Sequence, residues 1–230
     1  MSAVLVRYAR GGGRAPADDE LLELDADGAY SARRSVGGAR IGSFAGRIPP
    51  GTLAAVVADA AACRAAGAFW LATPRDGATE LIELGGEGEV TAEMDANASP
   101  DGPWGRLAGR LRGLVDEATA GPVAGLELIA DAGRARLVAV GSEPLEVDPS
   151  SVAVRVVHLD GTGGLRGQWQ GASVPGEGWT PAAPGWTLDL PFAHGLTAAP
   201  GEWLQVWVTL RVRDGAPRAA RLFLAVPGGR

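Results

Sequence analysis

The chain of 230 residues contains no lysine; all 21 of its basic residues are arginine. That absence excludes the Gly-x-x-x-x-Gly-Lys-Ser/Thr phosphate loop, whose lysine reaches the terminal phosphates. It also excludes every covalent scheme that runs through a lysine amine. Selection for bidentate arginine at a binding surface would bias one patch rather than the whole chain. Together with scarce isoleucine and abundant Ala, Gly and Val, the arginine usage reads as the codon bias of a high-GC bacterial genome.

Cysteine and histidine are almost as scarce. The single cysteine, Cys63, permits no internal disulfide. The two histidines, His158 and His194, stand in no HExxH-like spacing. There is no run of about 18 apolar residues to span a membrane. The N-terminus, Met-Ser-Ala-Val-Leu-Val-Arg-Tyr, has no apolar signal core before its first charge. The cytoplasm is therefore the expected address, with no membrane partner. Positive charge is also short. The net charge is −6, with 12 Arg against 17 acidic residues before Gly125 and 9 against 10 after it. A nucleic-acid partner needs a positive stripe to neutralise phosphates, and neither half supplies one. The local cluster of Arg33, Arg34, Arg40 and Arg47 reads as decoration of a solvated strand face.

The chain is rich in turn formers, with 35 Gly and 16 Pro. These favour many short strands over long helices. In the first half, strands are expected at Val4–Tyr8, Leu21–Leu24, Ala29–Arg33, Ala39–Ile48, Phe69–Ala72, Thr79–Leu84 and Val90–Met94. Turns are expected at Gly11–Gly13 and in the Asp25-Ala-Asp27-Gly28 hairpin. A helix over Leu53–Ala66, capped by Thr52 and stopped by Gly67, places Leu53, Val56, Val57, Ala60 and Cys63 on one face. A second helix, about Trp104–Ala118, carries an apolar stripe of Trp104, Leu107, Leu111, Leu114 and Val115.

After Gly121-Pro122 no helical pattern recurs. Strands are expected at Arg134–Val140, Val152–Leu159, Leu165–Gln170, Trp186–Phe192, Trp203–Val212 and Arg221–Val226. The expected fold is an α+β N-terminal domain over residues 1–122, followed by an all-β, immunoglobulin-like antiparallel sandwich over 126–230. The Trp203 strand is the most telling. Leu204, Val206, Val208, Leu210 and Val212 alternate with Trp203, Gln205, Trp207, Thr209 and Arg211, so the aliphatic set faces a core. Trp203 and Trp207 lie about 13 Å apart on the other face, with Gln205 between them. That trio either meets a partner or sugar ring, or is covered by the first domain or a neighbouring loop.

Catalytic and cofactor motifs are weak throughout. His158-Leu-Asp160 and the Asp189–His194 stretch hold the ingredients of a two-His, one-carboxylate metal site, but nothing in the spacing brings them together; structural histidines are the better reading. Gly42-Ser43-Phe44-Ala45-Gly46 lacks the Gly-x-Ser-x-Gly spacing of a nucleophile elbow. Cys63 sits on an apolar stripe and reads as a core residue. Glycine clusters at 11–13, 37–38 and 85–88 are turn chemistry. The Asp25-Ala-Asp27 opening of a calcium loop ends at Val36, where glutamate is required. No cofactor, catalytic residue or metal ligand is assigned. The acidic stretch from Asp18 to Asp27 reads as solvated charge on a loop and edge strand, with partner docking as its alternative.

The layout of residues 1–120 resembles the emfourin type of protein inhibitor of thermolysin-like metalloproteases. The resemblance rests on a strand before Gly-rich sequence, a strand ending in Phe44-Ala-Gly46, the helix from Leu53, the Glu80-Leu-Ile-Glu-Leu84 strand and a closing helix after Pro103. It implies inhibition of a metalloprotease, and it has no counterpart in the C-terminal half. Three readings stay open: a non-catalytic protein-binding or regulatory module, a metalloprotease inhibitor, and a hydrolase with dispersed carboxylates.

Overall fold

The computed structural model describes residues 3–12, 19–36, 38–71, 77–86, 89–98, 100–118, 121–131, 133–171, 178–213 and 217–228. It is mostly strand, with two helices, and divides into two compact units. Residues 1–34 and 43–121 form the first unit; residues 35–42 and 122–230 form the second. Expected turns at Gly13, Arg75-Asp76 and Asp214-Gly215 lie outside the described residues.

The first unit contains β1 (Val4–Gly12), β2 (Glu20–Asp25), β3 (Ala29–Arg34), the later residues of β4 (Arg40–Arg47), α1 (Pro50–Ala66), β5 (Phe69–Trp70), β6 (Ala78–Leu84), β7 (Val90–Asp95) and α2 (Pro103–Ala118). Its strands run in the order β3-β2-β1-β6-β7-β5. Every neighbouring pair is antiparallel except β5 with β7, which is parallel. Period-two alternation sends Val6, Tyr8, Leu22, Leu24, Ile82, Leu84, Ala92 and Met94 to one face, where they share a core with both helices. The whole expected stripe of α2 is buried there.

Several local expectations are corrected. Helix α1 starts two residues before Thr52: Pro49 is its N-cap, without a side-chain bond, and Pro50 occupies the first turn. Proline suits that position because its missing N–H is an orphan donor there in any case. Gly67 does end the helix, at φ +81°, with its N–H on the carbonyls of Cys63 and Arg64. Val56, Ala60 and Cys63 are buried, but Val57 lies off that face, exposed. Burial pushes the Cys63 thiol up to about 11, with Asp59 nearby adding to the shift. Glycines 11 and 12 continue β1 rather than turning it.

Within the acidic stretch, Glu20 is not solvated edge charge, whereas Asp27 is exposed as expected and Asp18 lies outside the described residues. Strand β2 lies between β1 and β3, and Glu20 is buried, 2.7 Å from Arg34. Arg34 in turn reaches Asp116 at 2.9 Å, so it too departs from the expected solvated face. The Asp25–Gly28 hairpin forms as read, with Gly28 at φ +86° and Ala29 N–H donating to Asp27 Oδ1.

The second unit contains β8 (Pro122–Ala130), β9 (Ala135–Gly141), β10 (Leu145–Leu159), β11 (Leu165–Gln170), β12 (Thr180–Ala182), β13 (Thr187–Asp189), β14 (Trp203–Arg213) and β15 (Pro217–Pro227). Neither β8 nor β12 stood out from the sequence. One group of strands runs β13-β9-β8; the other runs β11-β10-β14-β15, with β12 also on β10. All these pairings are antiparallel. Both groups supply one core: Leu126, Leu128 and Leu137 from the first, and Val154, Val156, Val206, Val208 and Leu222 from the second.

Strand β10 is much longer than expected because it runs through Pro149. The ladder to β14 shifts register between Asp148 and Ala153, which accommodates a residue that cannot donate. Ser151 mends the gap: its hydroxyl accepts the Arg211 N–H at 2.7 Å and donates to the Asp148 carbonyl at 2.6 Å. The expected strand over Trp186–Phe192 keeps ladder pairing only at Thr187–Asp189. Leu190 and Phe192 still reach the core.

Candidate functional site

Strand β14 alternates as its sequence dictates. Leu204, Val206, Val208, Leu210 and Val212 are buried, which turns Trp203, Gln205, Trp207 and Thr209 to the opposite face. The antiparallel register then fixes their neighbours. Gln170, Arg155, Trp207 and Phe223 form one row across β11, β10, β14 and β15. Gln168, Val157, Gln205 and Ala225 form the next. Leu165, Leu159, Trp203 and Pro227 end the face.

Trp203 is 43% exposed and Leu165 62% exposed at that apolar end. Trp207 stacks on Phe223, with ring centroids 5.0 Å apart and planes 26° from parallel. Its cover is thus a cross-strand neighbour in its own sheet, and Gln205 sits half-buried between the two tryptophans. Beside Trp207 lies a shallow concavity of about 430 Å³, lined by Ala153, Val154, Arg155, Gln170, Thr209 and Arg221 as well as the indole. Arg155 donates to Gln168 Oε1 at 2.9 Å. Further along, Arg211 and Arg213 pair with Asp148 and Glu146 and lie over the Trp179 ring, 5.4 and 4.8 Å from its centroid.

The sequence singled out Trp203, Gln205 and Trp207 on this face. It gave no sign of Phe223, Arg155, Arg221 or Leu165, because their proximity comes from register rather than from spacing along the chain. It also passed over Trp70 of β5, the most exposed of the large apolar side chains among the described residues at 71%.

The histidines have separate settings. His158 Nε2–H donates to Glu202 Oε2 at 2.8 Å, beside the Trp203 end of β14. The His194 ring meets Phe192 edge-on at 4.6 Å, and its Nδ1 accepts the Leu196 N–H. Among the described residues, no three His, Cys, Asp or Glu side chains gather where they would hold a metal ion. Nor, among them, is any helix long and apolar enough to cross a membrane. Ser43 lies within strand β4, not on a strand-to-helix elbow.

Two carboxylates near this face are held below the usual range. For Glu202 the main cause is the Ala199 N–H, followed by His158. For Asp160 it is the Thr162 hydroxyl, followed by the N–H groups of Gly164 and Thr162. A carboxyl depressed in the folded state stabilises above its unfolded pKa, and that contribution is lost as pH falls through the folded value. The thermal midpoint of the second unit is therefore expected to drop between about pH 5 and about pH 2, and Asp160→Asn to remove part of that drop. Calorimetry across the range checks it; a midpoint flat in pH, or an unchanged drop in the variant, contradicts the assignment.

The first unit holds the other concentration of charge. Glu80, fully buried, accepts from the Tyr8 hydroxyl at 2.8 Å and from Arg112 Nε and NH2 at 2.7 Å each. Arg10 stands between Glu80 and Glu20, at 3.9 and 3.6 Å. Burial, then the Glu80 charge, pushes the Tyr8 hydroxyl far above its ordinary range. Both oxygens of Glu80 are occupied, so its geometry suits holding β6 to β1 and α2.

No protein-family model, no curated protein and no solved structure matches the chain.

Proposed function

We propose that the protein is a non-catalytic protein-binding or regulatory module whose second unit is an immunoglobulin-like antiparallel sandwich presenting the Trp203–Trp207 face to a protein partner. The observation that carries this is the exposed apolar end of that face, where Leu165, Leu159, Trp203 and Pro227 lie side by side in register. Large apolar side chains gathered on one open sheet face, with amides and arginines around them, have the composition of an interface centre with a polar rim. Leu165 and Trp203 are exposed in the chain on its own, so burying them against a partner gains the area that folding left uncovered. Tryptophan and arginine are also the residue types that dominate binding energy at such centres.

The test compares immobilised wild type with Leu165→Asp and Trp203→Ala in the lysate of the organism that carries the gene. A defined protein retained by wild type and lost by both variants, with their thermal midpoints within a few degrees of wild type, is the expected result. Equal retention by all three proteins would refute the reading.

A further inference from the structure

We infer that the concavity beside Trp207 is a carboxylate-binding site and that its occupant is an acidic segment of a partner protein, an inference that rests on the protein-binding reading above. Among the described residues two arginines line it, Arg155 from β10 and Arg221 from β15. By register they flank β14 on either side, Arg155 opposite Trp207 and Arg221 opposite Thr209. Their backbones are about 12 Å apart, from strand spacing and rise, and both residues line the one concavity together with Trp207 and Thr209 of the strand between them.

The charge of the site differs from that of the molecule. The chain carries a net charge of −6, yet among the described residues no carboxylate lines the concavity. Among the described residues neither Arg155 nor Arg221 makes an ion pair, whereas Arg211 and Arg213 on the same face are both paired. The Arg155 guanidinium is held by the Gln168 amide, a neutral partner that orients it without cancelling its charge. Guanidinium and carboxylate match as planar, bidentate groups, and Thr209 and Gln170 add neutral donors. The indole of Trp207, backed by Phe223, offers an apolar wall for the aliphatic or aromatic residues between the acids.

Charge complementarity selects the occupant. A nucleic acid would need many more cations than two. A neutral sugar would leave both guanidiniums without an anion. A peptide that alternates acidic and apolar residues satisfies the arginines and the aromatic wall together.

The probe is a fluorescein-labelled Glu-Phe-Glu-Leu-Glu-Phe-Glu peptide and its counterpart with glutamine at every glutamate, titrated against the full chain by fluorescence anisotropy. The glutamate peptide is expected to bind saturably at low salt, at least ten-fold more tightly than the glutamine peptide, and to weaken with added salt. Arg155→Gln and Arg221→Gln, both at exposed side chains, are each expected to weaken it about ten-fold. Equal binding of the two peptides, absence of binding, or indifference to both substitutions would overturn the carboxylate assignment. The glutamine peptide and the salt response decide the question even were an arginine variant to misfold. The protein-binding reading fails separately, through the retention assay: equal peptide binding that Trp203→Ala weakens would sink the carboxylate assignment and leave that reading standing.

Discussion

Replacing Arg112 with methionine is expected to destabilise the first unit by about 3 kcal/mol or more at neutral pH, because it strands a buried carboxylate. Glu80 has no exposed surface, and Arg112 supplies two of the three short hydrogen bonds it receives. Arg10, at 3.9 Å, is too far to replace them. The isosteric Glu80→Gln costs less, since Tyr8 and part of the Arg112 fork still find an acceptor.

Cys63 supplies a readout confined to the first unit. It is the only thiol, and it is buried in the same core as Tyr8 and Ile82. Its labelling by a thiol reagent in the native protein requires that core to open, and when reclosing is fast the rate follows the opening free energy. A loss of 3 kcal/mol corresponds to labelling about a hundred-fold faster.

The pH dependence identifies the cause. With Arg112 gone, the Glu80 charge stays buried with, among the described residues, only the Arg10 cation nearby, and burial disfavours the charged form. The deficit of Arg112→Met against wild type should therefore shrink as pH falls and protons become available to neutralise that charge. The double variant Glu80→Leu/Arg112→Met should recover much of the loss, since an apolar pair of similar volume often matches a buried ion pair. A deficit constant in pH, with no recovery in the double variant, would place the effect in lost packing of the arginine stem instead.

Legibility of the sequence divides along the distinction between local and register-dependent features. The alternation of Leu204–Val212 and the 3.6-residue stripe of α2 each sit in one segment, and both predict the buried face residue by residue. Strand β8 was hidden because Pro122, Gly125 and Ala124 dilute its apolar pattern. Its core residues Leu126 and Leu128 nonetheless alternate as a strand requires. The start of β10 was hidden by Pro149, which reads as a breaker until Ser151 is seen bonding on both sides of the register shift.

In the acidic run, Glu20 departs from the solvated reading for the same kind of reason. Nothing local distinguishes Glu20, whose partners Arg10 and Arg34 arrive on two other strands. At the candidate site, Trp203 and Trp207 were visible as an outward pair. Trp207's stacking partner and both arginines of the concavity belong to strands from distant parts of the chain. The distinctive features of the candidate site are thus tertiary rather than local.

Gly42→Ala is expected to cost the second unit about 3–5 kcal/mol, from the sum of a backbone penalty and an overpacking penalty. Gly42 has φ +135°, a conformation that side chains rarely adopt. A Cβ there would lie 2.2 Å from the Ala124 carbonyl oxygen and 2.5 Å from Gly125 Cα, both backbone atoms of β8 that no side-chain rotation can clear. The close approach is mutual: a Cβ on Gly125 would meet the Ile41 carbonyl oxygen at 2.6 Å. These two glycines let the backbones pass where β4 meets β8, and the substitution must push β8, Leu126 included, away from the core beneath it.

Gly113, in α2, is the control: nothing lies within 4 Å of its missing Cβ, and no positive φ restricts it. Gly113→Ala should stabilise the first unit by roughly 0.5–1 kcal/mol, since alanine loses less backbone entropy than glycine in a helix. Calorimetry of the two variants checks the contrast, with native-state hydrogen exchange of the Leu126 and Leu128 amides localising the loss to β8. Opposite shifts in melting temperature, with exchange accelerated in β8 by Gly42→Ala alone, are the expected outcome. A Gly42→Ala protein as stable as wild type would show that β8 yields without loss, and that the paired glycines are not what brings the strands together.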